Sequence, residues 1–216
     1  MIKTAVSQKE FKKRKFRKVV LAGDIGGTHI RLAAYAVSKK PVLLFKQVYT
    51  TKDFPHMECL IQQFLELTQG IYGRTPTTGC LGIAGLVDKQ RKQAHITNLD
   101  FRYNVKDLLK KTGLKKLVLL NDLEGVGYGF SLLTKKDFLS LQPKQAQDGP
   151  KVILGPGTGF GGAILYGQRV LLSEPGHAAL SVQTMQQARV AAFLMATKRT
   201  ARGIPEMEDV LSGRGI

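Results

Sequence analysis

Two glycine-rich stretches that each contain a threonine are the clearest candidates for chemistry in this 216-residue sequence. The first is Asp24-Ile25-Gly26-Gly27-Thr28, and the second is centred on Gly157-Thr158-Gly159. Glycines let backbone N–H groups approach a phosphate closely, and a threonine adds a hydroxyl donor. Asp24 could hold Mg²⁺ directly or through water. The two stretches therefore predict two phosphate-binding turns.

Each glycine stretch also has a plainer interpretation. The Gly26-Gly27 pair is typical of a simple hairpin turn. The second stretch satisfies a G-x-G-x-x-G expression, but the residues after it read as a strand, whereas a dinucleotide fingerprint needs a helix there. No G-x-x-x-x-G-K-[ST] is present, which excludes a P-loop. Arg31 follows the first turn and could either reach an anion or lie on a solvated face.

Asn121-Asp122 and the Glu174-Pro175-Gly176-His177 stretch offer polar groups for a second reactant. Asp122 closes an apolar run and could accept a proton from a hydroxyl nucleophile that Asn121 orients. The alternative is that Asp122 only caps the next helix. Glu174 and His177 on one tight turn suit bidentate hydrogen bonds to a polyhydroxy ligand, although a lone histidine is more often an ordinary hydrogen-bonded residue.

The hydrophobic pattern predicts the elements that must position these groups. The first part reads as three strands, a helix, a strand, a helix and a strand, over residues 19–50, 54–71, 80–87, 105–113 and 117–122, respectively. A second group of three strands starts at residue 151, and a helix follows over about 183–197. The repeated order predicts two α/β halves with a cleft between them.

The charge of the chain is strongly basic. It has 33 Lys and Arg against 16 Asp and Glu, for a formal net charge of +17, and residues 1–18 hold eight basic side chains and one acidic one. We interpret residues 1–18 as a disordered basic arm, with a contact to nucleic acid or an acidic surface as the alternative. The first α/β half is then assigned to residues 19–134 and the second to 135–216.

Composition excludes several classes of protein. A hydrophobic content of 43% can fill a core, and no apolar run approaches the roughly 18 residues needed to span a bilayer. Cys59 and Cys80 are too few and too far apart for a zinc cluster or a redox pair. We interpret both as small core residues, and they suit a reducing compartment, so a cytoplasmic location is expected.

Six stretches resemble, in order and spacing, the bacterial glucokinases of the hexokinase/actin-like ATPase superfamily. They are DIGGTHIR, ITNLDF, LLNDLEGVGYG, LGPGTGFGGAIL, SEPGH and EDVLSGRGI, and the match runs from about Val19 to the last residue. The related ROK-type sugar kinases carry a cysteine-rich zinc motif that this sequence lacks. The resemblance implies an α/β, ribonuclease H-like (actin-like ATPase) fold with one complete half. The second half is expected to be incomplete, because the family continues well beyond VLSGxG.

The resemblance also implies a reaction, in which the γ-phosphoryl group of ATP passes to the 6-hydroxyl of glucose with Asp122 as the catalytic base. The implied sugar-binding residues are Thr97, Asn98, Asn121, Glu174, His177 and Glu208. The residues for ATP are Asp24, Gly26, Gly27, Thr28, Gly157, Thr158 and Gly159, with Arg31 added from its position and Mg²⁺ placed at Asp24. Glucose and ATP are the expected partners, and no membrane is expected to be involved. The sequence does not decide whether the protein forms a homodimer. The alternative function is a non-catalytic module that binds a polyanion or another partner through its basic surface.

Overall fold

The computed structural model describes residues 5–14, 16–54, 56–96, 101–142, 148–197, 200, 203–213 and 215. The chain divides into two compact units, Met1–Gly125 and Val126–Ile216. Both units combine helices with β-sheet, which agrees with the predicted α/β class. No helix in the described part of the chain has the length and hydropathy required to cross a membrane.

The first unit alternates strands and helices. Its elements are α1 (Gln8–Lys13), β1 (Val19–Ile25), β2 (His29–Ala36), β3 (Val42–Thr50), α2 (Met57–Tyr72), β4 (Thr78–Ile83), β5 (Gly85–Val87), β6 (Gln93–Ile96), β7 (Arg102–Asn104), α3 (Val105–Thr112) and β8 (Lys116–Asn121). The chain then enters α4 (Asp122–Gly129). Five strands form one sheet in the order β3-β2-β1-β4-β8, and a small sheet has the order β5-β6-β7.

The ends of three parallel strands lie at one level of the large sheet. Strand β4 runs parallel to both β1 and β8, whereas β2 is antiparallel to both β1 and β3. The register pairs Ile25 with Ile83, and Ile83 with Asn121. Ligands of open α/β sheets bind outside the carboxyl ends of the strands. The aligned carboxyl ends of β1, β4 and β8 are therefore where we expect the polar groups of a site.

Helix α2 covers the core of the first unit with an apolar face. Leu60, Ile61 and Phe64 are fully buried, and the ring of Phe64 stacks on that of Phe45 with centroids 4.8 Å apart. The helix ends at Gly73, whose φ of 65° is the left-handed conformation that glycine adopts most readily. A stacked aromatic pair of this kind contributes about 0.5–1.5 kcal/mol beyond the burial of its surface.

The N-terminal residues differ from the predicted disordered arm. Ser7 caps α1, and Val6, Phe11 and Phe16 are buried in the core. The hydroxyl of Tyr72 donates to the carbonyl of Val6 at 2.8 Å. Three apolar side chains spaced five residues apart among the lysines fix this segment, because all three are buried in the core of the first unit.

The two cysteines differ from each other in burial. Cys59 on α2 is exposed, and Cys80 on β4 is partly buried. The predicted core position is therefore wrong for Cys59, since the side chain lies on the solvent side of the helix next to the buried Leu60.

The second unit holds a three-stranded antiparallel sheet in the order β11-β10-β9. Its elements are β9 (Lys151–Pro156), β10 (Phe160–Tyr166), β11 (Arg169–Ser173), α5 (Met185–Ala196) and α6 (Glu208–Leu211). Thr184 caps α5 with a reciprocal Thr–Gln capping box, which explains why the helix starts there.

Candidate functional site

The first predicted phosphate turn joins β1 to β2 and is held by a buried threonine. Gly26 donates its N–H to the carbonyl of His29 at 2.9 Å, and Gly27 and Thr28 are exposed. Thr51 is fully buried. Its N–H donates to the carbonyl of Thr28 at 3.0 Å, and its hydroxyl donates to the carbonyl of Gly26 at 2.8 Å. Two carbonyls of the turn are thus satisfied from the interior, which fixes the turn's orientation.

Asp24 and Arg31 form an ion pair across the two strands of this turn. They are register partners in the β1–β2 ladder, and the guanidinium of Arg31 lies 2.8 Å from Oδ2 of Asp24. Both side chains are about half exposed. An ion pair this open to water contributes little to protein stability. Its main effect is to place one negative and one positive side chain beside the turn.

Asn121 and Asp122 have separate roles at the end of β8. The amide oxygen of Asn121 accepts from the Leu123 N–H at 3.0 Å, and its NH₂ donates to the carbonyl of Gly85 at 3.2 Å. Asn121 therefore caps α4 and ties it to the start of β5. Asp122 accepts from the same Leu123 N–H at 2.8 Å. Its second carboxylate oxygen is the group that a substrate hydroxyl could approach.

The pKa of Asp122 is raised above the ordinary value of an aspartate. Burial is the main cause, the Leu123 amide opposes the shift, and the negative charge of Asp24 adds to it. A partly buried carboxyl group with a raised pKa beside another carboxylate is typical of acid–base sites. The same pair of carboxylates would attract a cation.

Glu124, which follows Leu123 in the first turn of α4, holds this helix through a second contact. It is a buried carboxylate paired with Arg91, which lies in the turn between β5 and β6. Arg91 has a φ of 58°, an uncommon conformation for a residue with a side chain. The pair fixes the first turn of α4, and with it Asp122.

The second predicted phosphate turn joins β9 to β10. Gly157 donates its N–H to the carbonyl of Gly159 at 2.8 Å, and its own carbonyl accepts the N–H of Gly213 at 2.8 Å. Gly157 and Thr158 are exposed. The turn is therefore braced on one side by the residue that follows Ser212, and its glycine and threonine are open to a ligand.

The Glu174-Pro175-Gly176-His177 stretch packs against β10. Pro175, Gly176 and His177 form one 3₁₀ turn. A side chain placed at Gly162 would come within 2.8 Å of the ring of Pro175, so only glycine lets the turn lie this close to the strand. The carboxylate of Glu208 accepts the N–H of Phe160 at 3.3 Å, on the same strand.

His177 meets a residue that the sequence patterns did not single out. Its Nδ1 lies 2.8 Å from Oε2 of Glu206, and Glu206 is only 5% exposed. One possible ligand atom from each of His177, Glu206 and Glu208 lies within 4.8 Å of the others. The Glu-Met-Glu spacing before VLSG was the one available signal for Glu206. Thr51 carries no motif signal at all.

The predicted site residues thus fall into two groups. Asp24, Asn121 and Asp122 lie at the carboxyl ends of the parallel strands of the first unit. Gly159, His177 and Glu208 lie close together in the second unit. Thr97 and Asn98 lie outside the described residues.

A cavity of about 810 Å³ in the first unit contains none of the predicted site residues. Its wall includes Glu58, Tyr103 and Lys111, and Lys111 donates to Glu58 at 2.6 Å. Burial raises the pKa of Tyr103 to about 12, with the charge of Glu58 adding to the shift. We place this cavity outside the candidate site, because no group in it serves the chemistry of the two clusters.

Comparison with known proteins gives one consistent family. The glucokinase family model matches residues 21–216. A glucokinase of Nostoc sp. is 33% identical over 205 residues, which cover 92% of this chain and 58% of the relative. The chain thus spans about 58% of the length of the curated relatives it matches.

Solved structures agree with the sequence relatives. A glucokinase from an Antarctic psychrotroph has a TM-score of 0.75 at 26% identity, covering 92% of this chain and 62% of that one. A ROK family glucokinase from Streptomyces griseus, solved with glucose and AMPPNP, has a TM-score of 0.51 at 25% identity, covering 76% and 51%. These likenesses confirm the predicted actin-like ATPase fold class.

Proposed function

Because this chain belongs to the glucokinase family, we propose that it serves the transfer of the γ-phosphoryl group of ATP to the 6-hydroxyl of glucose. The observation that carries the proposal is the state of Asp122: a partly buried carboxyl group of raised pKa, fixed at the end of β8. Glucose and a nonhydrolysable ATP analogue are bound in the related Streptomyces griseus structure, which supports this pair of substrates.

Asp122 acts as the general base in this proposal. The sugar hydroxyl donates its proton to the carboxylate as the oxygen attacks the γ-phosphorus, and the bond to the β-phosphate oxygen of ATP breaks in line. A raised pKa makes the carboxylate a better proton acceptor than an exposed aspartate. The Leu123 N–H holds Oδ1 of Asp122 at 2.8 Å, and in this proposal Oδ2 takes the proton.

The two glycine–threonine turns bind phosphate oxygens in this proposal. Gly27 and Thr28 are exposed in the first turn, and Gly157 and Thr158 are exposed in the second. Phosphoryl transfer depends mainly on positioning and charge stabilisation. Turns whose backbone is held by hydrogen bonds, from Thr51 in the first and from Gly213 in the second, are suited to it.

Mg²⁺ fits the oxygen donors at Asp24. The cation is hard and prefers carboxylates and water, and the charge of Asp24 already bears on Asp122. Bound there, Mg²⁺ would neutralise phosphate charge. Asp24 would bind it directly or through water, and Arg31 would exchange its partner from Asp24 to a phosphate oxygen.

The sugar contacts that the family resemblance implies are Asn121, Glu174, His177 and Glu208, and we keep them as proposed contacts. Carboxylate, amide and imidazole groups are the usual partners of a polyhydroxy ligand. We keep Thr97 and Asn98 as proposed contacts from the family resemblance.

The test is phosphoryl transfer by the wild-type protein and by Asp122→Asn, measured as glucose-dependent ADP release. Loss of a positioned general base should lower kcat roughly 10²- to 10⁴-fold. Asp148→Asn is the matched control, because Asp148 is an exposed aspartate outside both residue groups. An Asp122→Asn rate within threefold of wild type would remove Asp122 from the role.

Ligand binding separates this function from the polyanion-binding alternative. Glucose is uncharged, so its affinity should hardly change between low and physiological salt. Binding of a polyanion to the basic surface should weaken steeply over the same range. Calorimetric titrations of glucose and of a polyanion, each at both salt concentrations, decide between the two: the proposed function requires salt-insensitive glucose binding, and the alternative requires salt-sensitive polyanion binding without it.

A further inference from the structure

We propose that Glu206 is a positioning residue that fixes the imidazole of His177 in one tautomer, so that Nε2 accepts a hydrogen bond from a ligand hydroxyl. The inference rests on the proposed function only in taking that hydroxyl to belong to a sugar. The contact itself is described by the structure: Nδ1 of His177 and Oε2 of Glu206 are 2.8 Å apart.

Glu206 is the rigid member of this pair. It is 5% exposed, whereas the side chain of His177 keeps 43% of its surface open. Its N–H donates to the carboxylate of Asp209 at 2.9 Å, and its backbone forms a β-bridge with Ala179. The carboxylate therefore stays in place, and the imidazole must orient to it.

Backbone pairing on both sides of the contact removes the remaining freedom. Met207 donates its N–H to the carbonyl of Ala178 at 2.9 Å, and Leu180 donates to the carbonyl of Pro205 at 2.8 Å. The residue after His177 is thus tied to the residue after Glu206. The two side chains come from segments held in register, so their 2.8 Å separation is set by the backbone.

This geometry determines which ligand groups His177 can bind. A carboxylate in its ionised form only accepts hydrogen bonds, so in this proposal Nδ1 carries the proton that points at Glu206. A neutral imidazole then presents the lone pair of Nε2 to the solvent side. Nε2 accepts from a hydroxyl, and a ligand oxygen that can only accept, such as a carbonyl, has no partner there. Glu206 therefore gives His177 a preference for a hydroxyl-bearing ligand at this position.

The same three side chains could instead hold a divalent cation, because ligand atoms of His177, Glu206 and Glu208 lie within 4.8 Å of one another. A metal on Nδ1 would replace the hydrogen bond to Glu206. The experiment therefore includes Zn²⁺ alone as a competitor for the site.

The primary measurement is the ¹⁵N NMR signature of the His177 ring in the ¹⁵N-labelled protein at neutral pH. We expect a protonated Nδ1 and an unprotonated Nε2 in the wild type, retained in Glu206→Asp. Glu206→Gln should give a mixture of tautomers, because an amide can donate as well as accept. A ring protonated on both nitrogens in the wild type, or a signature unchanged in Glu206→Gln, would overturn the proposal.

Glucose affinity gives an independent readout. A mixture of tautomers reduces the fraction of His177 rings that can accept from glucose, so Glu206→Gln should weaken glucose binding about 2-fold for an even mixture and at most about 12-fold where the hydrogen bond is lost altogether. In a His177→Ala background the same change should have no further effect, which a purely structural role of Glu206 would not produce. Glu66→Gln, an exposed glutamate of α2, is the control and should bind as the wild type.

The outcomes separate this proposal from the proposed function. If glucose does not alter the His177 signals while Glu206→Gln changes the tautomer, the sugar assignment fails and the positioning role stands. If glucose binds but Glu206→Gln leaves both tautomer and affinity unchanged, the positioning role fails alone. If stoichiometric Zn²⁺ shifts Nδ1 of His177 in the wild type but not in Glu206→Gln, the cluster is a metal site and the proposal is wrong.

Discussion

Replacing Gly162 by alanine should separate the His177 turn from its carboxylate partner. The new Cβ would lie 2.8 Å from Cγ and 3.0 Å from Cδ of Pro175. The proline ring cannot rotate away as a flexible side chain could, because it is closed on the backbone of the turn. Ordinary carbon–carbon contact starts near 3.4 Å. The turn must therefore move by about 0.6 Å, the difference between this contact distance and the present 2.8 Å.

A displacement of about 0.6 Å is large for the hydrogen bonds that join this turn and Ala178 to Glu206 and Met207. If the segment of Glu206 and Met207 stays in place, a shift of about 0.6 Å is enough to take the His177–Glu206 contact of 2.8 Å and the Met207–Ala178 contact of 2.9 Å out of normal hydrogen-bond geometry. Overpacking of this kind typically costs about 1–3 kcal/mol. Because every 1.4 kcal/mol is a factor of ten, local opening should become about 5- to 150-fold more frequent.

Hydrogen exchange of the Met207 amide, followed by NMR, measures that opening directly. We expect the Met207 amide to exchange at least fivefold faster in Gly162→Ala. Gly157→Ala is the matched control, because a Cβ at Gly157 meets nothing within 4 Å. The reasoning is refuted if Met207 exchanges within twofold of the wild type in Gly162→Ala, or equally fast in both variants.

Two further predictions concern the first unit. Since burial raises the pKa of Asp122 above its unfolded value, the stability that this carboxyl group contributes is greatest at low pH and is lost as the pH rises through the folded pKa. Asp122→Asn should therefore unfold at higher urea than the wild type at neutral pH, and the two midpoints should converge in acid; equal midpoints at neutral pH would contradict the burial argument. Thr51→Val removes a fully buried hydroxyl that donates to the carbonyl of Gly26, so it should cost about 1–3 kcal/mol in urea unfolding. Thr51→Ser keeps the hydroxyl and should recover most of the loss, and an equal loss in both variants would assign the effect to packing.

Local periodicity predicted the long elements of the fold. The helix predicted over 54–71 is α2, and the helix predicted over 105–113 is α3, because both have regular apolar spacing and end at a glycine. The run predicted as one strand over 80–87 is split between two sheets, as β4 and β5. The split depends on Gly85, where any side chain would overlap the carbonyl of His95, a contact that the sequence does not reveal.

Helix α1 escaped prediction for a related reason. Its six residues are mostly charged or polar, so they carry no helical period of apolar residues. Their order comes from Phe11, whose ring centroid lies 4.9 Å from that of Tyr72, a residue far along the chain. Tertiary packing, and not local propensity, fixes this segment.

The candidate site was predictable where its residues carry motifs. Asp24 and the Asn121-Asp122 pair were singled out from their own neighbours, and the strand register explains why they meet. Thr51 and Glu206 were not, because their partners lie 25 and 29 residues away in the sequence. Residues that hold a site in place are identified by contacts across the fold, and a single sequence does not contain those contacts.

The burial of Val6, Phe11 and Phe16 has a consequence for the positive charge at the start of the chain. Lys9, Lys12 and Lys13 are presented on a short helix whose other side is embedded in the protein. The helix fixes the backbone positions of these lysines, whereas a disordered tail would not. The positive charge of these lysines therefore stays on one surface of the first unit, because the ring of Phe11 packs against Tyr72 at the end of α2.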